Sequence, residues 1–163
     1  MINIRIATDE DLPKILEIVN HNIQHSTAVY DYEPKTEAFI KHWFQEKQEN
    51  NYPVLVAEYK GEVSGYASYA QLKAKDGYKF TMEHSVYVAP GQEGKGIGKL
   101  LLAQLIAIAK KNNIHSLIGL IDADNAGSIA FHKKFGFTEA GFLKEAGYKF
   151  DRWLDVVIMQ LYL

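Results

Sequence analysis

The sequence predicts a mixed α/β domain with a largely antiparallel central sheet flanked by about four helices. Three observations carry this. Short segments alternate apolar and polar residues at the period of a strand, as in Ile2, Ile4 and Ile6. Between them lie stretches whose apolar residues recur at helical spacing, the widest being Leu100, Leu101, Leu105, Ile108 and Ala109. Their order is a strand, two helices, three strands, a helix, a strand, a helix and two closing strands. A chain of 163 residues, 47% hydrophobic, is the size of one ordinary domain and can bury a core without staples.

The elements follow in turn. Ile2 to Ile6 reads as a half-buried strand. Thr8 and Asp9 offer caps for a helix striped by Leu12, Ile15, Leu16, Ile18 and Val19, with Pro13 tolerated in its first turn. His25 to Pro34 lacks periodicity and is expected as a loop, and a second helix covers Thr36 to Gln48. Pro53–Tyr59 and Val63–Tyr69 form strands around a turn at Lys60-Gly61-Glu62. After a polar loop at Lys73–Gly77, Tyr78 to Val88 is expected as one long strand, ended by Pro90 and Gly91. Gly96 to Asn112 is the strongest helix, with Lys110 and Lys111 suiting its C-terminus. His115–Ile121 is an internal strand, Asn125–Phe135 a helix ended by Gly136, and Phe137–Tyr148 and Trp153–Tyr162 close the fold.

Composition removes several classes of function. Eighteen Lys and Arg against twenty Asp and Glu give a net charge of −2, which argues against non-specific nucleic-acid binding. With no cysteine there is no disulfide, thiolate metal site or cysteine nucleophile. No signal-peptide core or membrane-length apolar run is visible, so a soluble, cytoplasmic protein is the expectation. His21 and His25 are one helical turn apart, a spacing compatible with a metal pair, but no third ligand is evident and no metal is expected. Ser85 lacks the glycine-flanked elbow of a hydrolase nucleophile.

One segment carries chemistry. Val86-Tyr87-Val88-Ala89-Pro90 leads from a strand into Gly94-Lys95-Gly96-Ile97-Gly98 and a helix. Glycines let the backbone turn sharply, free N–H groups point at an anion, and the helix dipole favours negative charge. The spacing is neither the dinucleotide fingerprint nor the P-loop, and a strand-to-helix turn without a ligand accounts for the glycines as well.

Val88-x-Pro90-x-x-x-Gly94-x-Gly96-x-Gly98 resembles the acetyl-CoA motif of the GCN5-related N-acetyltransferases, and Asn125-x-x-Ser128-x-x-x-His132-x-x-x-Gly136-Phe137 resembles their late helix and following strand. Glu83-His84-Ser85-Val86-Tyr87-Val88, Ile121-Asp122-Ala123-Asp124-Asn125-Ala126 and the run from Gly147 to Val156 are similar to the phosphinothricin and methionine sulfoximine acetyltransferase branch. Thr27-Ala28-Val29-Tyr30 and Glu33-Pro34 also fit, so the likeness spans nearly the whole chain. It implies acetyl-CoA as co-substrate, direct transfer to the α-amino group of a small amino-acid-like molecule, and a homodimer, with the C-terminal strands as one contact.

It also implies roles. Glu83 matches the branch's general base, and His132 stands where many members have a tyrosine that protonates the leaving thiolate; Tyr87 is the weaker candidate for that acid. The Val88 N–H is suited to polarise the thioester oxygen, and Val86, Tyr87 and Val88 to pair with the pantetheine arm. The Gly94–Gly98 backbone, with Lys95 and Ile97, would hold the pyrophosphate, and Asn125 and Ser128 would make polar contacts to the cofactor. Glu93 departs from the motif, which has Arg or Gln there, and is expected to face solvent. For the acceptor's anionic groups Lys73 and Lys75 are suited by position, with Lys149 and Arg152 as alternatives, and Tyr30, Tyr78 and Phe80 as pocket walls. The alternatives are another amine acceptor, such as a protein N-terminus or polyamine, and a non-catalytic acetyl-CoA-binding module.

Overall fold

The computed structural model describes residues 1–163. Seven strands form one sheet: β1 (Ile2–Ile6), β2 (Val54–Tyr59), β3 (Glu62–Gln71), β4 (Thr81–Val88), β5 (Ser116–Asp122), β6 (Thr138–Lys149) and β7 (Arg152–Tyr162). Their spatial order is β1-β2-β3-β4-β5-β7-β6. Every pair is antiparallel except β4–β5, which requires a crossover and receives one in helix α3 (Ile97–Lys111). Helices α1 (Leu12–His25), α2 (Glu37–Glu49) and α4 (Ala126–Lys134) complete the set. The β2–β3 hairpin turns through Lys60 and Gly61, both at positive φ, which matches the right-handed twist of the strands it joins.

Strand alternation sorts the core into two clusters. Leu55, Ala57, Ala67, Tyr69 and Met82 pack against α3, while Val54, Val56 and Tyr66 pack against α1 and α2. On α3 the buried stripe is Ile97, Leu101, Leu102, Leu105 and Ala109. The expected Leu100 is instead 42% exposed, because the helix rolls its Ile97–Leu101–Leu105 row onto the sheet. Leu101, Leu102 and Leu105 are fully buried, and truncating any one to alanine costs roughly 2–5 kcal/mol.

A second expectation is corrected at the start of β4. Asp76–Tyr78 forms a 3₁₀ turn and pairing begins at Thr81, so Tyr78 and Phe80 are exposed rather than in the strand. The consequential feature lies further along. β4 and β5 pair only at Thr81–Ser116, Met82–Leu117 and Glu83–Ile118. Beyond Glu83 the β4 strand keeps β3 on one edge and has no strand on the other, while β5 continues along β7. The sheet therefore opens into a V whose closed end is at Glu83 and His84.

Candidate active site

Alternation sends the two closing residues of that V to opposite faces. Val86 and Val88 pack into the α3 cluster and Tyr87 into the α1–α2 cluster. Glu83 shares the parity of Tyr87, and His84 that of Val86. A cleft of about 380 Å³ occupies the opening, lined by Glu83 to Tyr87 of β4, Gly119 to Asp122 of β5, and Asn125, Ser128 and His132. Thr27, Tyr30 and Leu143 border it too. Thr27 Oγ1 donates to Asp122 Oδ2 at 2.5 Å, tying the loop after α1 to the end of β5.

The glycine-rich turn stands at the far end of β4. Gly94 and Gly96 sit at φ +76° and +83°, and a Cβ on either would meet nothing within 4 Å. Glycine is needed here for backbone conformation, and the turn stays open to an incoming group. Gly96 caps α3 without a side-chain hydrogen bond, so the first-turn N–H groups of Ile97, Gly98 and Lys99 are free for an anion. Ile97 contributes only its backbone, since its side chain is in the core. Gly98 faces β4, where a Cβ would make an ordinary contact 3.6 Å from Val88 Cγ2. Lys95 turns back across the loop, Nζ donating to Gln92 Oε1 at 2.7 Å, and Glu93 is exposed with no ion pair.

On the α1–α2 face a second cavity, about 270 Å³, is lined by Asp31, Lys35, Phe39, Trp43, Lys47, Glu83, Ser85 and Tyr87, among others. Glu83, Ser85 and Tyr87 belong to both cavities. Burial raises the Glu83 carboxyl above the usual carboxylate range, opposed by the charges of Lys73 and Lys47. Lys47 donates to the Tyr69 carbonyl at 2.9 Å and lies 5.4 Å from the Trp43 ring; burial lowers its ammonium to about 8.

Several residues singled out in the sequence sit elsewhere. Lys73, Lys75 and Tyr78 are exposed and line neither cavity, although the Lys73 charge acts on Glu83. Lys149 is buried, its Nζ donating to the carbonyls of Ser26 at 2.7 Å and Val29 at 2.5 Å, which makes it a staple for the loop. Arg152 pairs with Asp124 at 3.3 Å. Tyr30 does line the cleft, pressed against Gly147, where a Cβ would lie 2.6 Å from its ring. Asn125 lines it as well, its Oδ1 accepting from Ser128 N at 3.0 Å to cap α4.

Sequence reading missed Lys35, Lys47, Asp122 and, above all, His84. The ring of His84 bonds the Ile118 carbonyl through Nδ1 at 3.0 Å and meets His132 Nε2 through its own Nε2 at 2.9 Å. His132 reaches back through Nδ1 to the Ser128 carbonyl at 2.7 Å. The signal available in sequence was parity: His84 shares a face with Met82, Val86 and Val88, where a polar ring needs a buried partner.

The sequence model of the family described as acetyltransferase (GNAT) domain matches residues 4–158. The chain belongs to the GNAT acetyltransferases. It is 40% identical, over 99% of its length and 95% of the relative's, to the L-methionine sulfoximine/L-methionine sulfone acetyltransferase of Salmonella typhimurium. Among solved structures, the GNAT phosphinothricin acetyltransferase of Sinorhizobium meliloti in complex with acetyl-CoA superposes with a TM-score of 0.96 at 35% identity, covering 99% of this chain and 88% of that one. The ribosomal-protein-alanine N-acetyltransferase of Brucella melitensis gives 0.97 at 43% identity, covering 99% of both. As a GNAT enzyme the protein is an N-acetyltransferase, and acetyl-CoA supplies the activated acetyl group. Its own features fit that co-substrate: an open glycine turn before an uncapped helix, leading to an unpartnered strand edge and a cleft. No helix is long and apolar enough to cross a membrane.

Proposed function

We propose that this enzyme N-acetylates the α-amino group of a small amino-acid-like substrate of the methionine sulfoximine, methionine sulfone or phosphinothricin type. One observation carries the reading: Glu83 stands where the cleft of the V meets the cavity on the α1–α2 face. The Gly94–Gly98 backbone holds the pyrophosphate through N–H groups, so the exposed Glu93 does not oppose it. The edge of β4 from Val86 to Val88 takes the pantetheine arm as an added strand, and the Val88 N–H polarises the carbonyl. Asn125 and Ser128 contact the cofactor from α4.

The acceptor enters the second cavity. Glu83, with its raised pKa, takes a proton from the acceptor ammonium directly or through water, freeing the nitrogen lone pair. Lys47 faces the substrate's anionic groups inside this cavity, which Lys35 also lines while paired to Asp31 at 2.9 Å, and Lys73 adds its charge from outside the lining. His132 is the acid on the cofactor side. The protein acts in the cytoplasm as a homodimer, supported by exposed Phe142, Leu143, Tyr148, Phe150 and Trp153 on β6, β7 and the turn joining them.

Thiol release from acetyl-CoA across an amino-acid panel tests the proposal. Methionine sulfoximine, methionine sulfone or phosphinothricin is expected to give the highest kcat/KM, and Glu83→Gln to lower kcat about 10²-fold. The likeness to the ribosomal-protein-alanine enzyme favours a second reading, a protein N-terminus as acceptor. Turnover with an alanine-initiated peptide and none with free amino acids would establish that reading instead.

A further inference from the structure

His84 and His132 make more hydrogen bonds than two neutral imidazoles have protons for. A carbonyl oxygen only accepts, so the contacts of His84 Nδ1 with Ile118 O (3.0 Å) and of His132 Nδ1 with Ser128 O (2.7 Å) each require an N–H. The two Nε2 atoms then face each other at 2.9 Å, and a hydrogen bond there requires a third proton. Two neutral rings carry two. The arrangement is that of a pair holding one extra proton, shared between the Nε2 atoms.

We propose that His84 is the proton-holding partner of His132, and that the pair supplies the proton taken up by the sulfur as it leaves the acetyl group. The delivery step rests on the acetyl-transfer reading above. Its exit is the Ser128 end, where His132 Nδ1 lies 3.4 Å from Ser128 Oγ and both residues line the cleft. The thiolate takes the Nδ1 proton, directly or through the hydroxyl, while His132 Nε2 draws the shared proton from His84. An S–H bond forms and the Nδ1–H bond breaks; the pair passes from +1 to neutral and the sulfur from −1 to neutral. One bond lapses in the neutral pair, that of His132 Nδ1 to the Ser128 carbonyl, until solvent reloads it. His132 Nε2–H donates to His84 Nε2, His84 Nδ1–H keeps Ile118 O, and the Ser128 hydroxyl donates to the freed Nδ1. Solvent reloads the pair, while the amine's protons leave by Glu83 on the opposite face of the sheet.

The surroundings are apolar, so the hydrogen bonds alone hold the extra proton. Phe137 packs at 5.2 Å and 5.1 Å from the His84 and His132 rings, and Phe131 at 5.3 Å from His132. Glu83 and Asp122 line the same cleft but bond neither ring. Burial lowers both rings, His84 to about 3 with repulsion from His132 as the second cause, so a second charge is refused and the first is held only by the three hydrogen bonds. Gly119 makes the approach across β5 feasible. A Cβ there would stand 3.0 Å from His84 Cε1 and 3.7 Å from His132 Nε2.

The test begins on the free enzyme, without turnover, by ¹⁵N NMR of its histidines against pH. The expected result is one titration in which the ring nitrogens of His84 and His132 respond together; in His84→Gln, His132 then titrates alone. A His84 fixed in one tautomer while His132 titrates by itself overturns the shared proton. In steady state, His84→Gln and His84→Asn, which keep a polar group but cannot pass a proton, are expected to lower kcat about 10²-fold. Their KM for acetyl-CoA stays within about twofold, and the alkaline limb of the kcat profile moves. Unchanged kcat and pH profile overturn the delivery step. If the wild type releases no thiol with any amine, the acetyl-transfer reading fails and delivery with it, while the NMR titration still decides the shared proton.

Discussion

His21 and His25 lie one helical turn apart on α1, and their rings meet at 4.8 Å. His84 and His132 lie 48 residues apart, on β4 and α4, and their rings meet at 5.1 Å. The first pair is at the surface, where His25 is exposed, and neither ring is held by a hydrogen bond to protein. The second is buried, each Nδ1 fixed by a carbonyl and the Nε2 atoms bonded to each other. Ring proximity is nearly equal in the two. What differs is desolvation and a fixed set of partners, which set how many protons a pair holds and where they can go.

The contrast can be broken most strongly at Gly119. Gly119→Ala places a methyl 3.0 Å from His84 Cε1, and overpacking of this kind costs roughly 1–3 kcal/mol. Thermal unfolding is expected to show that loss together with a fall in kcat of about 10-fold, as the rings lose their 2.9 Å contact. A Gly119→Ala enzyme with wild-type stability and kcat would mean that the pair tolerates displacement.

Acid titration is the next largest probe. The folded pKa of His84 is depressed from 6.5 to about 3, so below pH 6.5 the unfolded chain binds a proton that the native state refuses. The stability linked to His84 is therefore fully present above pH 6.5 and is lost as pH falls towards 3, by up to ~1.4 kcal/mol per pH unit. Glu83, with its raised pKa, has the opposite sign: the native state binds its proton first, which favours folding as pH falls through the window above 4.5. Denaturant unfolding of wild type and His84→Gln from pH 7 to 4 isolates the histidine contribution. Parallel curves would show that it is absent.

The smallest expected effect belongs to α1. The double variant His21→Ala, His25→Ala should change stability by no more than about 0.5 kcal/mol and leave kcat unchanged, checked by denaturant unfolding and thiol release. A large change in either would give this surface pair a role that its surroundings do not suggest.

Legibility in the sequence followed the range of the interactions. The periodicity of Ile2–Ile6, the Lys60-Gly61 turn and the helix over Thr36 to Gln48 were readable because their causes are local. The start of β4 was misread because Tyr78 and Phe80 are good strand formers, yet the 3₁₀ turn at Asp76–Tyr78 keeps them outside the ladder. The loop lysines Lys73 and Lys75 were singled out by sequence position, but the cations that line the second cavity, Lys35 and Lys47, come from α2 and the loop before it. A helix face was needed to bring them there.

By itself the sequence determined the element order and the glycine turn before α3. Each rests on backbone conformation or alternation within a few neighbouring residues. Tertiary structure alone decided that β4 and β5 part after Glu83 and that His132 arrives over Gly119 to meet His84. These depend on which strand lies beside which and how far their pairing runs. Long-range packing settles that, and no local pattern records it.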